Sequence, residues 1–141
     1  MAWSFTSRAP VYMQIVSRIR ADILGGVYQP DQQIPAVRQL ALTAGVNPNT
    51  MQRAFAVLEA EQLFITRGTI GRFITTDTEV LERAREVMRR ETVARLIEEA
   101  AAVGISPAEL IESIRAYESE HAAEKAEASQ ETDTQRKEYP I

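Results

Sequence analysis

The chain has 141 residues, 45% of them hydrophobic and 26% charged, which is enough for one packed domain with an appendage or two very small domains. It contains no cysteine, which excludes disulfides, thiolate catalysis and sulfur-ligated metals and fits a reducing compartment. It has neither a run of about 18 apolar residues nor the pattern of a signal peptide. We therefore expect a cytoplasmic protein with no membrane partner.

The charge is divided unevenly along the chain, although the net charge is −4. Residues 1–76 hold seven arginines, no lysine and four acidic residues, for a net charge of +3. Residues 77–141 hold nine basic and 16 acidic residues, for a net charge of −7. A mildly basic first half joined to an acidic second half fits a DNA-facing domain with an appendage that does not contact DNA.

Three helices are predicted in the first half of the chain. Apolar residues spaced by three and four predict a first helix over about 10–24. A second helix is predicted from near Pro35 until Gly45 breaks it. A third opens at Asn47-Pro48, where Asn47 can cap the helix and Pro48 suits its first position.

The pattern changes after the third helix. Residues 63–67 and 72–76 are short and rich in Phe, Ile and Thr, which predicts a two-stranded hairpin with a protruding tip. A long helix is predicted over about 78–103, with Thr78 as its N-cap, and the capping box in residues 106–109 begins a last helix. Beyond about Ala122 the apolar rhythm ends, which favours disorder.

Three helices followed by a hairpin are the order of a winged helix-turn-helix domain. The predicted fold class is therefore mostly α with a small β-hairpin, in which this domain is followed by a C-terminal two-helix dimerisation segment. The predicted boundaries are 8–76 for the domain, 77–121 for the segment and 122–141 for a disordered tail. The apolar stripes of the segment have little else to cover them, so we expect a symmetric homodimer.

Polar side chains crowd the start of the third predicted helix, namely Asn47, Asn49, Thr50, Gln52 and Arg53. The DNA major groove accepts one helix, in which Asn and Gln can pair with adenine and Arg with guanine. Arg67 and Arg72 flank the hairpin tip, from which they can reach a phosphate backbone or a minor groove. These residues are the candidate DNA-binding site.

Four segments occur together at characteristic spacings. They are Pro10-Val11-Tyr12 with Gln14-Ile15, the run Ile34–Ala41, the run Gly45–Ala54, and Leu58-Glu59 with a hairpin ending in Phe73-Ile74. Over about residues 8–76 the chain thereby resembles the GntR family of bacterial regulators, and its short helical tail resembles the YtrA-type branch. The resemblance implies a sequence-specific transcriptional regulator. We expect a repressor that binds palindromic double-stranded DNA as a homodimer and controls a transporter operon.

The resemblance also implies roles for single residues. In the family, the arginine matching Arg38 and the polar residues of the recognition helix contact operator DNA, and the wing glycine matching Gly71 approaches the minor groove. The chain departs from many relatives at Pro48, where they have arginine, so no base contact is transferred there. It also has Thr69-Ile70 before Gly71 where many relatives have Gly-x-Gly.

Plainer interpretations of the same residues stay open. Arg38, Gln52 and Arg53 also fit ordinary solvated helix positions, and Arg53 can instead pair with Glu59 or with a phosphate. Arg67 and Arg72 can simply keep the hairpin soluble.

Other classes of function are weighed in the same way. We find no motif for catalysis, for a cofactor or for a metal site, so we expect no enzyme. The lone histidine, His121, is expected to be a surface residue, because metal sites need several ligands. The alternative function is a winged-helix protein-interaction module without DNA readout. A small-molecule effector of unknown identity is a candidate further partner.

Overall fold

The computed structural model describes residues 2–138, with side chains described through residue 130. Its elements, in chain order, are α1 (Val11–Leu24), α2 (Val37–Ala44), α3 (Pro48–Ala60), β1 (Phe64–Arg67), β2 (Gly71–Ile74), α4 (Thr78–Ala102) and α5 (Pro107–Glu138). The predicted class, mostly α with one small hairpin, is confirmed. Within the described range, no helix combines the length and the apolar character that crossing a bilayer requires.

The chain forms two compact units, of which the first ends at Met88 and the second begins at Arg89. In the first unit, the apolar faces of α1, α2 and α3 meet in one core. The inward face of α3 is fully buried, because Met51, Phe55 and Leu58 are each 0% exposed. The hairpin closes this core, and the Phe55 ring meets that of Phe64 edge to face, with 5.1 Å between centroids.

Local hydrogen bonds set the predicted starts of α3 and α5. The Asn47 side chain accepts a hydrogen bond of 2.8 Å from the Asn49 N–H. Ser106 and Glu109 exchange both bonds of a capping box, at 3.2 and 3.4 Å. The predicted cap of α4 at Thr78 is wrong, because the carboxylate of Asp77 accepts the N–H groups of Glu79 and Val80.

The start of α2 differs from the prediction, since the helix begins at Val37 and not near Pro35. The preceding residues run alongside the hairpin, where Gln33 forms an isolated β-bridge with Phe73. The Ile34 N–H also donates to the Arg72 carbonyl oxygen at 3.0 Å. Pairing with β2 keeps this segment extended, so the helix cannot begin until the segment has left the strand.

The first unit is larger than the predicted domain 8–76. Trp3 and Phe5 pack against its core from one end of the sequence, and Val80, Leu81 and Ala84 of α4 from the other. The predicted boundaries of the DNA-binding domain, 8 and 76, do not coincide with those of this unit and stay a prediction.

The second unit has almost no core of its own. Among its side chains that are described, those of residues 89–130, only Ala100 is buried. Helix α5 continues to Glu138, past the point where the sequence predicts disorder, and its alanine, glutamate and lysine content favours helix. The predicted tail 122–141 remains a prediction, and its last residues, 139–141, lie outside the described part.

Candidate nucleic-acid interface

One face of α3 is free of the core. Asn49, Gln52, Arg53 and Ala56 are all exposed, at spacings of three, four and seven that place them on the same side of the helix. Thr50 lies at the edge of this face and is half-buried. The exposed face is polar except for one alanine, whose small size leaves room for close approach of a partner. It has the size and chemistry that a major groove accepts.

Asn47 is the N-cap of α3, at the beginning of this face. Its Oδ1 atom accepts the Asn49 N–H, so this oxygen is committed to the helix cap. The residue is exposed. The cap fixes the first turn of α3, which orients Asn49 and the residues after it.

A cleft of about 410 Å³ lies between α2, α3 and the hairpin. Its walls include Arg38 at the start of α2, Gln52 on α3, and Ile70, Gly71 and Arg72 on the hairpin. The structure therefore brings together four of the residues that the sequence singled out from three separate segments.

The arginines of the first unit differ in their partners. Three form ion pairs, in which Arg20 joins Glu61, Arg67 joins Asp31 and Arg72 joins Glu59. Two others stack on aromatic rings, with Arg18 at 4.1 Å from the Trp3 centroid and Arg53 at 3.9 Å from that of Tyr12.

Arg38 has neither kind of partner among the described residues, and it is exposed. Because it also lines the cleft, it supplies the cleft with an uncompensated positive charge.

The interpretation that Arg53 pairs with Glu59 is wrong. Arg53 lies over the Tyr12 ring, which holds its guanidinium beside the start of α1. Glu59 instead accepts a hydrogen bond of 3.2 Å from the Thr66 hydroxyl and pairs with Arg72. Through these two contacts, one carboxylate on α3 holds both strands of the hairpin.

The hairpin is antiparallel, with Arg67 opposite Gly71 at the end next to the turn and residues 68–70 as its tip. Gly71 has φ +136° and faces the Gln33 side chain, whose amide nitrogen would lie 2.8 Å from an added Cβ. That amide donates to the Ile70 carbonyl oxygen at 2.9 Å. The positive φ favours glycine at this position whatever the Gln33 side chain does, and an approach of Gly71 to DNA stays a prediction.

Comparison with known proteins agrees with this geometry. The family profile described as "Bacterial regulatory proteins, gntR family" matches residues 11–74. The chain is 31% identical to the HTH-type transcriptional repressor YtrA of Bacillus subtilis, in an alignment that covers 77% of this chain and 85% of YtrA. The chain belongs to the GntR family. This confirms the predicted resemblance, the YtrA-type branch included.

Further similarities cover most of this GntR chain. It is 28% identical to the uncharacterized HTH-type transcriptional regulator YhcF of Bacillus subtilis, over 80% of this chain and 93% of YhcF. A GntR family transcriptional regulator from Listeria monocytogenes has a similar structure, with a TM-score of 0.69, 31% identity, and coverage of 79% of this chain and 97% of the other. The chain is accordingly a DNA-binding transcriptional regulator with a winged helix-turn-helix, and not an enzyme, as predicted.

Three residues beside the candidate interface are not among the predicted site residues. Gln33 and Ile70 line the cleft, and Tyr12 supports Arg53. The exposure of Ile70 could have been predicted, since an isoleucine in a loop between Gly68 and Gly71 is unlike a core position. The place of Gln33 could not have been predicted, because it depends on a hydrogen bond to Ile70, which is 37 residues away in sequence.

The described part of the chain contains no group of three or more His, Asp or Glu side chains that could hold a metal ion. His121 stacks on the Tyr117 ring of the same helix, with 4.0 Å between centroids, and its Nδ1 lies 2.9 Å from the Tyr117 carbonyl oxygen. These contacts account for the histidine without a ligand.

Proposed function

We propose that this GntR protein is a homodimeric repressor that binds a palindromic operator, with α3 of each copy in a major groove. The observation that carries the proposal is the cleft in which the unpaired Arg38 lies beside Gln52 and the wing, next to the polar face of α3. A guanidinium with no acidic partner is available for a phosphate or a guanine edge. Asn49, Gln52 and Arg53 are the proposed base-contacting side chains on α3, with Thr50 at their edge and Asn47 capping the helix.

The dimer is proposed from the second unit. Apolar side chains of α4 and α5 stay exposed in the single chain, including Val93, Leu96, Ile111, Ile114 and Tyr117. An exposed apolar face on a unit with almost no core is typical of a surface that a second copy covers. Two copies read two half-sites separated by about one helical turn of DNA, which explains why a palindrome suits this protein.

The regulated genes and the effector are proposed from the family alone. The matched relative YtrA is described as a repressor, and this supports repression as the mode of action here. A transporter operon is the proposed target. An effector would act by changing the dimer interface or the angle between the two DNA-binding domains.

The test is selection of bound duplexes from a random pool, followed by a salt titration on the selected sequence. We expect a palindrome whose affinity falls by about 10³-fold or more between 50 and 200 mM salt, since several phosphates are neutralised. A scrambled duplex of the same composition should bind about 10³-fold more weakly. Failure to bind any duplex at low salt would favour the protein-interaction module, which the net charge of −4 allows.

Replacing the unpaired arginine is expected to weaken operator binding. Arg38→Ala should cost about 1–3 kcal/mol of binding free energy, as the loss of a good base or phosphate contact does. Arg38→Lys separates the two cases, because lysine keeps a phosphate contact but not a bidentate contact with guanine. Fluorescence anisotropy on the selected duplex measures both variants.

The matched control is Arg85→Ala, since Arg85 is exposed on α4 and does not line the cleft. It removes the same charge and should leave affinity nearly unchanged. Equal losses for the two alanine variants would mean that only total charge matters.

A further inference from the structure

We propose that the wing reads the minor groove through the apolar side chain of Ile70, and that it thereby favours A·T over G·C pairs beneath its tip. The proposal rests on the proposed function, because it requires α3 in the adjacent major groove. In this proposal Ile70, and not the flanking Arg67 and Arg72, discriminates A·T from G·C pairs.

Ile70 is 68% exposed at the end of the three-residue tip that joins β1 to β2. Its backbone is held, since its N–H donates to the Arg67 carbonyl oxygen at 3.0 Å and its carbonyl accepts from the Gln33 amide. A single exposed isoleucine is common on protein surfaces and means little alone. Ile70 becomes significant because the neighbouring arginine side chains are engaged by other residues.

Both flanking arginines already contact other side chains. Arg67 pairs with Asp31 and lies over the Phe73 ring at 4.3 Å, and Arg72 pairs with Glu59 and is half-buried. Arginines inserted into a narrow minor groove are a common means of reading it, but here both guanidiniums already have acidic partners. Breaking either pair would add a cost to insertion.

The surface left at the tip is therefore made by Gly68, Thr69 and Ile70. An added Cβ on Gly68 would meet nothing within 4 Å, so the backbone there is open to close approach. Ile70 also lines the cleft that holds Arg38 and Gln52. The tip thus continues the proposed DNA interface.

The chemistry of the minor groove gives this side chain a preference. Both kinds of base pair present acceptors there, but G·C adds a protruding amino donor on guanine. Isoleucine has no acceptor, so covering that amino group would leave it desolvated and unpaired. Over A·T the same methyl groups meet a floor without the donor. Apolar side chains are used as minor-groove wedges by other DNA-binding proteins for related reasons.

The experiment scans the selected half-site with the full-length protein. Each A·T pair in turn is replaced by G·C and, separately, by inosine·C, which keeps the major-groove edge of G·C but lacks the guanine amino group. We expect one or two positions at which G·C weakens binding about tenfold while inosine·C restores it. That result places the discrimination in the minor groove.

The variant Ile70→Ala should lose most of this discrimination, with circular dichroism confirming that the exposed substitution leaves the fold intact. The matched control is Val27→Ala, since Val27 is 67% exposed and does not line the cleft. It should discriminate as the unaltered chain does.

Three results would overturn the inference: equal losses for G·C and inosine·C at every position, full discrimination by Ile70→Ala, or its loss in Arg67→Ala alone. All three presuppose specific binding, so they differ from a failure to select any duplex, which would overturn the proposed function instead.

Discussion

Ile111→Asp is expected to convert the protein from a dimer to a monomer and to lower its affinity for a palindromic duplex by about 100-fold or more. Ile111 is 51% exposed on α5 and lies in one stripe with Leu110, Ile114 and Tyr117. In a symmetric interface the new carboxylate occurs twice, and burying an unpaired charge costs several kcal/mol. Sedimentation velocity at micromolar concentration measures the dissociation directly.

The loss of affinity has a separate physical reason. In a dimer, binding of one domain raises the effective concentration of the second near its half-site to about millimolar, and the monomer loses this advantage. The matched control is Ser113→Asp, which adds the same charge at an exposed polar position of α5. It should remain a dimer. A monomeric unaltered chain, or a dimeric Ile111→Asp, would contradict the proposed interface.

Phe55→Ala is expected to cost about 3–5 kcal/mol of unfolding free energy, because it removes a large side chain from a core that cannot fully collapse. Phe55 is 0% exposed and packs edge to face against Phe64. The Arg72 guanidinium also lies 5.2 Å from its ring centroid, so the cavity opens beneath the wing. Since small domains have a total stability of about 5–15 kcal/mol, the variant should be marginal.

Urea denaturation followed by circular dichroism measures this loss as a lower midpoint with an unchanged m-value. The matched control is Phe73→Ala, which removes the same side chain from a half-buried position on β2. It should cost less than half as much. A midpoint for Phe55→Ala equal to that of the control would mean that the core repacks around the gap.

Much of the fold could be predicted from the sequence because its signals are local. The cap at Asn47 acts on an N–H two residues away, and the capping box at Ser106 acts over three. The apolar residues of α3 recur at helical spacing, which identifies both its buried side and its polar side. For the same reason the sequence alone predicts the family resemblance and the wing. It also predicts the polar face that carries Asn49 and Gln52.

The tertiary structure determines which arginine side chains have acidic partners and which are left unpaired. The ion pairs of Arg20, Arg67 and Arg72 join residues 41, 36 and 13 positions apart, and no local pattern reveals such partners. From the sequence, Arg38, Arg53, Arg67 and Arg72 are all candidates for contact with DNA, and nothing local separates the paired ones from the unpaired one.

Only the folded chain shows that Arg38 lies unpaired in the cleft while Arg53 stacks on Tyr12. The late start of α2 has the same origin, because pairing of Gln33 with Phe73 competes with helix formation across a long separation. Sequence alone thus determined the helices, the wing and the family, since short-range hydrogen bonds and apolar periodicity set them. Which side chains can meet DNA was decided by contacts between distant segments, which form only when the core brings them together.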